Sequence, residues 1–191
     1  TKDETKELLK KREYVVRFKT PEEETITFTD AIRGNISVST RDIDDKILSY
    51  CKSVDEVWHA GDIGNIEVID KIKQLKPVKG VYGNIDNHLI RKEFPLDNKF
   101  NCENIKVWIT HIGGYPGRYS RRVSDCLKSE KVDLFVCGHS HILKVISDKK
   151  HNLLHINPGA IGKHGFHNKR TMVRFDINGK KIENLEIIEF N

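Results

Sequence analysis

From residue 43 onward the apolar residues fall into short blocks, each ending in a polar tip. Residues 43–51 place Ile43, Ile47 and Leu48 at helical spacing, with Asp42, Asp44 and Asp45 at the start, where carboxylates suit a helix N-terminus. Residues 55–60 (DEVWHA) predict a strand ending in Gly61-Asp62. Residues 65–75 carry Ile66, Ile69, Ile72 and Leu75 on one stripe, which predicts an amphipathic helix with Asn65 as its N-cap. Residues 78–82 form a further strand, ending in Gly83-Asn84, and residues 105–110 (IKVWIT) one that ends in His111. A helix is expected over 121–128, then a strand over 133–137 (DLFVC) ending in Gly138-His139. Residues 142–146, 153–156, 171–177 and 182–190 read as antiparallel strands, with turns at 148–150 and at Asn178-Gly179. Strand, polar tip and helix recur, so this part is α/β.

The first 43 residues have a different texture. Residues 2–12 read as a charged helix, residues 13–19 (EYVVRFK) as a strand, and 25–28 (TITF) and 36–39 as two more, separated by a turn at 21–24 and by Gly34-Asn35. The expected organisation is a β-rich segment over 1–43 and an α/β domain over 44–191.

Composition narrows the class. The 191 residues are 37% hydrophobic and 32% charged, which excludes a disordered tail. No stretch approaches the roughly 18 apolar residues of a membrane span, and residues 1–13 hold no apolar core of a secretory leader. Cys51, Cys102, Cys126 and Cys137 form no CxxC pair, as expected for reduced thiols and a cytoplasmic location. The net charge of +5 divides unevenly: residues 1–46 sum to −1 and residues 47–191 to +6. A basic C-terminal part suits an anion-handling site, although scattered surface lysines produce the same number.

The chemistry lies at the strand tips. Asp62, Asn84, His111 and His139 each follow a predicted strand, and in an open α/β sheet such ends line the ligand crevice. Glycines at 61, 83 and 138 allow sharp turns and close approach of backbone to an ion. His141 lies two residues beyond His139, so one loop can offer two imidazoles. Mixed Asp, Asn and His donors suit a divalent cation, manganese first, with nickel, iron, cobalt or zinc as alternatives. Arg118, in the glycine-rich stretch 113–119, could clamp a phosphate or sit in a solvated turn. Lys163, His164 and His167 read as a substrate mouth or as a solvated basic loop, while His59 and Cys137 read as packing residues.

The GD at Asp62, the GN at Asn84, the strand-terminal His111 and the GHSH at 138–141 resemble the calcineurin-like metallophosphoesterases. The GNID, THIGG and NPGA stretches are similar to their small single-domain phosphodiesterase branch, and the likeness covers 44–191. That resemblance implies a four-layer α-β-β-α sandwich and two metal ions bridged by Asp62, with a metal-bound hydroxide attacking phosphorus. Asn84, His111 and His139 would complete one metal site and His141 would serve the other, with Asn84 and His111 as the catalytic pair. Larger relatives carry His after the GN; Ile85 stands there, which favours activated esters. The family's opening Asp-x-His is missing: Val38 and Thr40 occupy those places, so the first strand is altered or absent and one or two ions are expected. If that strand is absent, residues 36–39 are a candidate stand-in.

Residues 6–48, with VVRFKTPE, ITFTD and IRG, resemble a fragment of the glutamyl-tRNA synthetase catalytic domain. The ATP-binding signatures of that family are absent, so aminoacylation does not follow. The combined reading is a metal-dependent phosphodiesterase acting on a small phosphate-ester substrate, with no membrane or nucleic-acid partner expected and homo-oligomerisation left open. The alternative is a catalytically impaired scaffold of the same fold that binds protein.

Overall fold

The computed structural model describes residues 25–30, 34–39, 45–163, 165 and 167–190. Two compact units divide the chain, Thr1–Asp42 and Ile43–Asn191. In the first, β1 (Thr25–Asp30) and β2 (Gly34–Ser39) form an antiparallel hairpin in which Thr25 pairs with Ser39 and Asp30 with Gly34. The stand-in candidate, residues 36–39, therefore lies in β2 and pairs with β1. The helix and strand expected over 2–12 and 13–19, and Thr40, lie outside the described residues.

The second unit begins with α1 (Asp45–Lys52), β3 (Val57–His59), α2 (Ile66–Lys73), β4 (Val78–Gly80) and α3 (His88–Glu93). It continues through β5 (Asp97–Cys102), β6 (Ile105–Thr110), a small hairpin of β7 (Gly114–Tyr115) and β8 (Arg118–Tyr119), and α4 (Arg121–Ser129). The last elements are β9 (Leu134–Cys137), β10 (Lys144–Asp148), β11 (Leu153–Asn157), β12 (Arg170–Asn178) and β13 (Lys181–Phe190). Five strands form the main sheet in the order β10-β11-β9-β6-β5, while β3 with β4 and β12 with β13 make two-stranded sheets. The terminal strands are not all antiparallel: β11 pairs antiparallel with β10 but parallel with β9. Among the described residues, β3 pairs only with β4.

Strand periodicity explains the layering. On β6, Ile105, Val107 and Ile109 face one way and join Leu134, Val136 and Ile156 in a buried cluster, against which Trp58, Val173 and Phe175 pack. The intervening Trp108 faces the other way and meets Phe135, Cys137, and Val123 and Leu127 of α4. A third cluster, Ile63, Ile69, Ile90 and Phe94, sits under α2 and α3. The layers thus run from α4 to the five-stranded sheet, then to β3–β4 with β12–β13, then to α2 and α3, in agreement with the expected α-β-β-α sandwich.

Local chemistry explains the helix starts. The Asn65 side chain accepts the Glu67 N–H at 3.1 Å and caps α2, as its sequence predicts, and Ser120 caps α4 by accepting from Val123. Arg122 joins α4 to the sheet by donating to Asp97 at 2.5 Å, and Trp108 Nε1 donates to the same carboxylate at 2.8 Å. Two elements have no clear sequence pattern. Helix α3 has six residues and buries only Ile90, and β5 carries Asp97, Lys99 and Asn101 on one face and Asn98, Phe100 and Cys102 on the other. All four cysteines are unpaired, and among the described residues no helix is long and apolar enough to cross a membrane.

The packing also encloses a titratable network. Tyr119 donates its hydroxyl to Asp148 at 3.0 Å, and His151 Nδ1 lies 2.8 Å from the same oxygen. Beside them His155 is fully buried, and neither ring nitrogen has a hydrogen-bond partner among the described residues. Burial, reinforced by Lys144 and opposed by Asp148, pushes the His155 imidazole down to about 4 from 6.5. The unfolded chain therefore binds the proton first on acidification. This contribution to stability is complete above pH 6.5 and is lost as pH falls toward 4. Thermal unfolding followed by circular dichroism across that window should show the melting temperature falling on the acid side, with a smaller fall in His155→Leu. An equal fall in the variant would refute the assignment.

Candidate metal centre

Four strands of the second unit deliver their last residues to one place. Asp62 follows β3 through Gly61, Asn84 follows β4 through Gly83, His111 directly follows β6, and His139 follows β9 through Gly138. Parallel pairing of β3 with β4 and of β6 with β9 makes these ends level within each sheet. Two hydrogen bonds set them against each other. His111 Nδ1 lies 2.7 Å from the carbonyl of Ala60 across the two sheets, and Gly138 N–H donates to the His111 carbonyl at 3.0 Å.

The first of these bonds decides a proton. A carbonyl only accepts, so His111 carries a hydrogen on Nδ1 and turns Nε2 toward the crevice. There Nε2 lies 3.0 Å from the Asn84 amide oxygen and 3.2 Å from Asp62 Oδ1. The same Asn84 oxygen lies 2.8 Å from His139 Nδ1. Ligand atoms of Asp62, His111 and His139 all fall within 4.8 Å of one another. Two oxygens and a ring nitrogen facing one another repel unless a proton or a cation lies between them. The donor set fits a divalent cation of borderline hardness. A ring nitrogen anchored to a backbone carbonyl is also the arrangement that orients metal-binding imidazoles.

The loops reach this geometry under strain. Asp62, His139 and His141 adopt left-handed backbone conformations, with φ of 55°, 65° and 56°. For residues with side chains such conformations cost on the order of 1–2 kcal/mol each, and they persist where the surroundings impose them. Of the three glycines expected to make sharp turns, only Gly61 has a positive φ, 89°. Its missing side chain also matters, because a Cβ there would lie 2.5 Å from His111 Nδ1. Gly83 and Gly138 instead serve close approach: a Cβ at the first would strike Asp62, and one at the second would lie 2.7 Å from the Ala60 carbonyl.

Two residues that support the site carry no sequence signal of their own. Asp86 is buried, accepts the Gly64 N–H at 2.8 Å through one oxygen and the Gly83 N–H at 2.7 Å through the other, and so ties together the loops that carry Asp62 and Asn84. Arg91 donates from Nε to the Asp86 carbonyl at 2.7 Å and from Nη2 to the Asn84 carbonyl at 3.1 Å, while its guanidinium stacks over Tyr82. The GNID stretch contains Asp86, but only the folded loops show what its carboxylate holds. Asn157, from the NPGA stretch, similarly donates to the Gly138 carbonyl at 2.9 Å and to Ser140 at 3.0 Å.

The remaining expected residues are placed differently. His141 is not in the Asp62 group; its ring packs against His167 at 5.3 Å between centroids. Arg118 is exposed on β8, in a paired hairpin; no hydrogen bond among the described residues ties it to Asp62, Asn84, His111 or His139. His59 is more than a packing residue, since its Nδ1 accepts the Gly61 N–H at 3.2 Å and so braces the turn before Asp62. Its imidazole is pushed down to about 4, by burial first, against the opposing pull of Asp86. Cys137 is buried core, as expected. Lys163 is exposed, the Val38 and Asp45 side chains are not described, and Asp42, Asp44 and His164 lie outside the described residues.

Comparisons with known proteins show the family. The Calcineurin-like phosphoesterase superfamily domain profile matches residues 29–180. A probable metallophosphoesterase of Methanothermobacter thermautotrophicus is 25% identical over 121 residues, 62% of this chain and 67% of that protein. One of Methanocaldococcus jannaschii is 32% identical over 116 residues, 60% of this chain and 57% of that protein. The chain therefore spans about two thirds or less of these relatives. The fold resembles that of zinc-complexed Vps29 from Entamoeba histolytica, with a TM-score of 0.59 and 18% identity over 78% of this chain and 91% of that one. Residues 1–54 match the catalytic-domain profile of class I tRNA synthetases (E and Q). A glutamate–tRNA ligase of Finegoldia magna is 48% identical there over 46 residues, 24% of this chain and 9% of the ligase.

Removing the Asp86 carboxylate leaves two backbone N–H groups without their charged acceptor. Asp86→Ala should lower the unfolding free energy by about 2–4 kcal/mol in urea titrations and weaken divalent-metal binding by about 10–100-fold in calorimetry. Unchanged metal affinity would show that the two loops hold their positions without it.

Proposed function

We propose that this chain, which belongs to the calcineurin-like phosphoesterase superfamily, is a metal-dependent phosphoesterase, and within that class a phosphodiesterase of small or activated phosphate esters. The observation that carries the reading is the convergence of Asp62, Asn84, His111 and His139 at the ends of four strands. These residues would hold a divalent cation, manganese first. When bound, such a cation supplies Lewis acidity toward phosphate oxygens and water.

The chain's own residues supply the rest. Asp62 brings the negative charge, and His111, held in orientation by the Ala60 carbonyl, turns Nε2 toward the crevice. Asn84 presents a neutral amide oxygen to both imidazoles, and its amide nitrogen remains for a phosphate oxygen. The residue after it, Ile85, is 65% exposed, and its backbone N–H donates to Asp62 Oδ1 at 3.2 Å. Its side chain therefore stands at the mouth of the site and carries no proton for a leaving group. Esters whose leaving groups depart as stable anions suit such a site.

A second reading, a protein-binding scaffold of the same fold, is favoured by one observation: His141 stands outside the Asp62 group. Hydrolysis separates the two. With Mn²⁺ and bis-p-nitrophenyl phosphate, wild-type chain should turn over substrate, and Asp62→Ala or His139→Ala should lose at least about 100-fold. Activity should fall steeply from p-nitrophenyl to phenyl esters, and Ile85→His should flatten that dependence. Turnover unaffected by either ligand substitution would end the proposal, and no turnover by metal-loaded wild type would favour the scaffold.

A further inference from the structure

The five-stranded sheet has two outer strands, and they are built differently. At one edge, β5 carries Asp97, Asn98, Lys99 and Asn101. Lys99 is exposed and donates to Glu130 at 2.7 Å, and the Asn98 side chain donates to the Gly80 carbonyl at 3.2 Å. Charged and amide side chains along an edge discourage pairing with another strand. At the other edge, β10 reads Lys-Val-Ile-Ser-Asp and, among the described residues, pairs only with β11.

Both charged residues of β10 turn back into their own chain. The Lys144 ammonium lies 3.6 Å from the centre of the Tyr115 ring. Asp148 is buried, accepts the Tyr119 hydroxyl at 3.0 Å and lies 2.8 Å from His151 Nδ1. Neither charge is left to guard the edge. Its middle consists of Val145, partly buried, then Ile146, 37% exposed, and Ser147, exposed. Ile142, 58% exposed, precedes the strand. An apolar edge of this kind is a template for one more strand.

The residues of β10 suit pairing with a copy of themselves. In an antiparallel pair about a two-fold axis at Ile146, that residue faces Ile146 of the second copy, and Val145 faces Ser147. Lys144 then stands opposite Asp148 at both ends. Moving the axis to Lys144 or to Asp148 would set like charges directly opposite each other, which is destabilising. We propose that a second copy of this chain docks along β10, antiparallel about Ile146, so that the two five-stranded sheets run on as one. A five-residue pairing falls short of a standard interface of about 1,200–2,000 Å², so the dimer is a weak one. The proposal concerns the sheet edge alone and stands whether or not the chain hydrolyses esters.

Sedimentation velocity of the full chain between about 1 µM and 1 mM should show a shift from one chain to two. Ile146→Lys, which sets two ammonium groups across the axis, should weaken the dimer at least about 10-fold. Circular dichroism monitors folding, and Ile146→Thr serves if the lysine variant unfolds. A second readout uses the symmetry, since a residue on the axis meets its own copy. In an oxidising glutathione buffer, Ile146→Cys should give a disulfide-linked dimer on a non-reducing gel. Ile187→Cys, at a position 44% exposed on β13, should give no more than wild type. A wild type monomeric over the whole range would overturn the proposal. So would a dimer as tight in the Ile146 variants as in wild type, or equal cross-linking at positions 146 and 187.

Discussion

The hydrogen bond from His111 Nδ1 to the Ala60 carbonyl, 2.7 Å long, joins the five-stranded sheet to the β3–β4 pair at the point where their strands end. Its effect is larger than that of an ordinary contact. It fixes the orientation of the imidazole and thereby aims Nε2 at Asp62 and Asn84. It also brings two backbones so close that Gly61 and Gly138 have no room for a side chain. Net stabilisation from one such bond is about 1 kcal/mol. Its main consequence is geometric, because Asp62, Asn84 and His139 take their places relative to it.

Holding four lone-pair donors within a few ångströms works against folding, and the surrounding structure has to offset it. Asp86 ties two loops with one carboxylate, Arg91 gathers the carbonyls of residues 83, 84 and 86, and Asn157 fastens the loop of His139 to β11. These supports are buried or stacked, so they keep Asp62 and His139 in left-handed conformations that those side chains would otherwise avoid. The clusters behind them, on both faces of the main sheet, keep the strand ends from drifting apart.

Elements with strong period-two alternation were legible from the residues alone. The strands ending at His111 and His139 put Ile109 and Val136 on one face, and Trp108 and Phe135 on the other. The helix capped by Asn65 was equally plain, since cap and apolar stripe agree. By contrast, α3 is under two turns long with one buried residue, and β5 is an edge strand in which only Phe100 and Cys102 meet the core, so each has a weak pattern. The β7–β8 hairpin reads as loop because its strands have two residues each. The N-terminal 54 residues match a different family from the bulk of the chain, and the two matches overlap over 29–54, so local likeness alone could not divide them.

What the sequence by itself determined is the set of strand-terminal donors, Asp62, Asn84, His111 and His139, because residue type and the strand before each are local properties. Only the tertiary structure decided which atoms meet. Whether His111 turns Nδ1 or Nε2 to the crevice depends on a carbonyl 51 residues away, and the work of Asp86 depends on two amides in separate loops. The partner of His141 was beyond local reading for the same reason. His167 is 26 positions further along, and its orientation is set by the Gly162 carbonyl and by the absence of a side chain at Gly165. Contacts across such separations are fixed by how sheets and loops pack, which no short stretch of residues encodes.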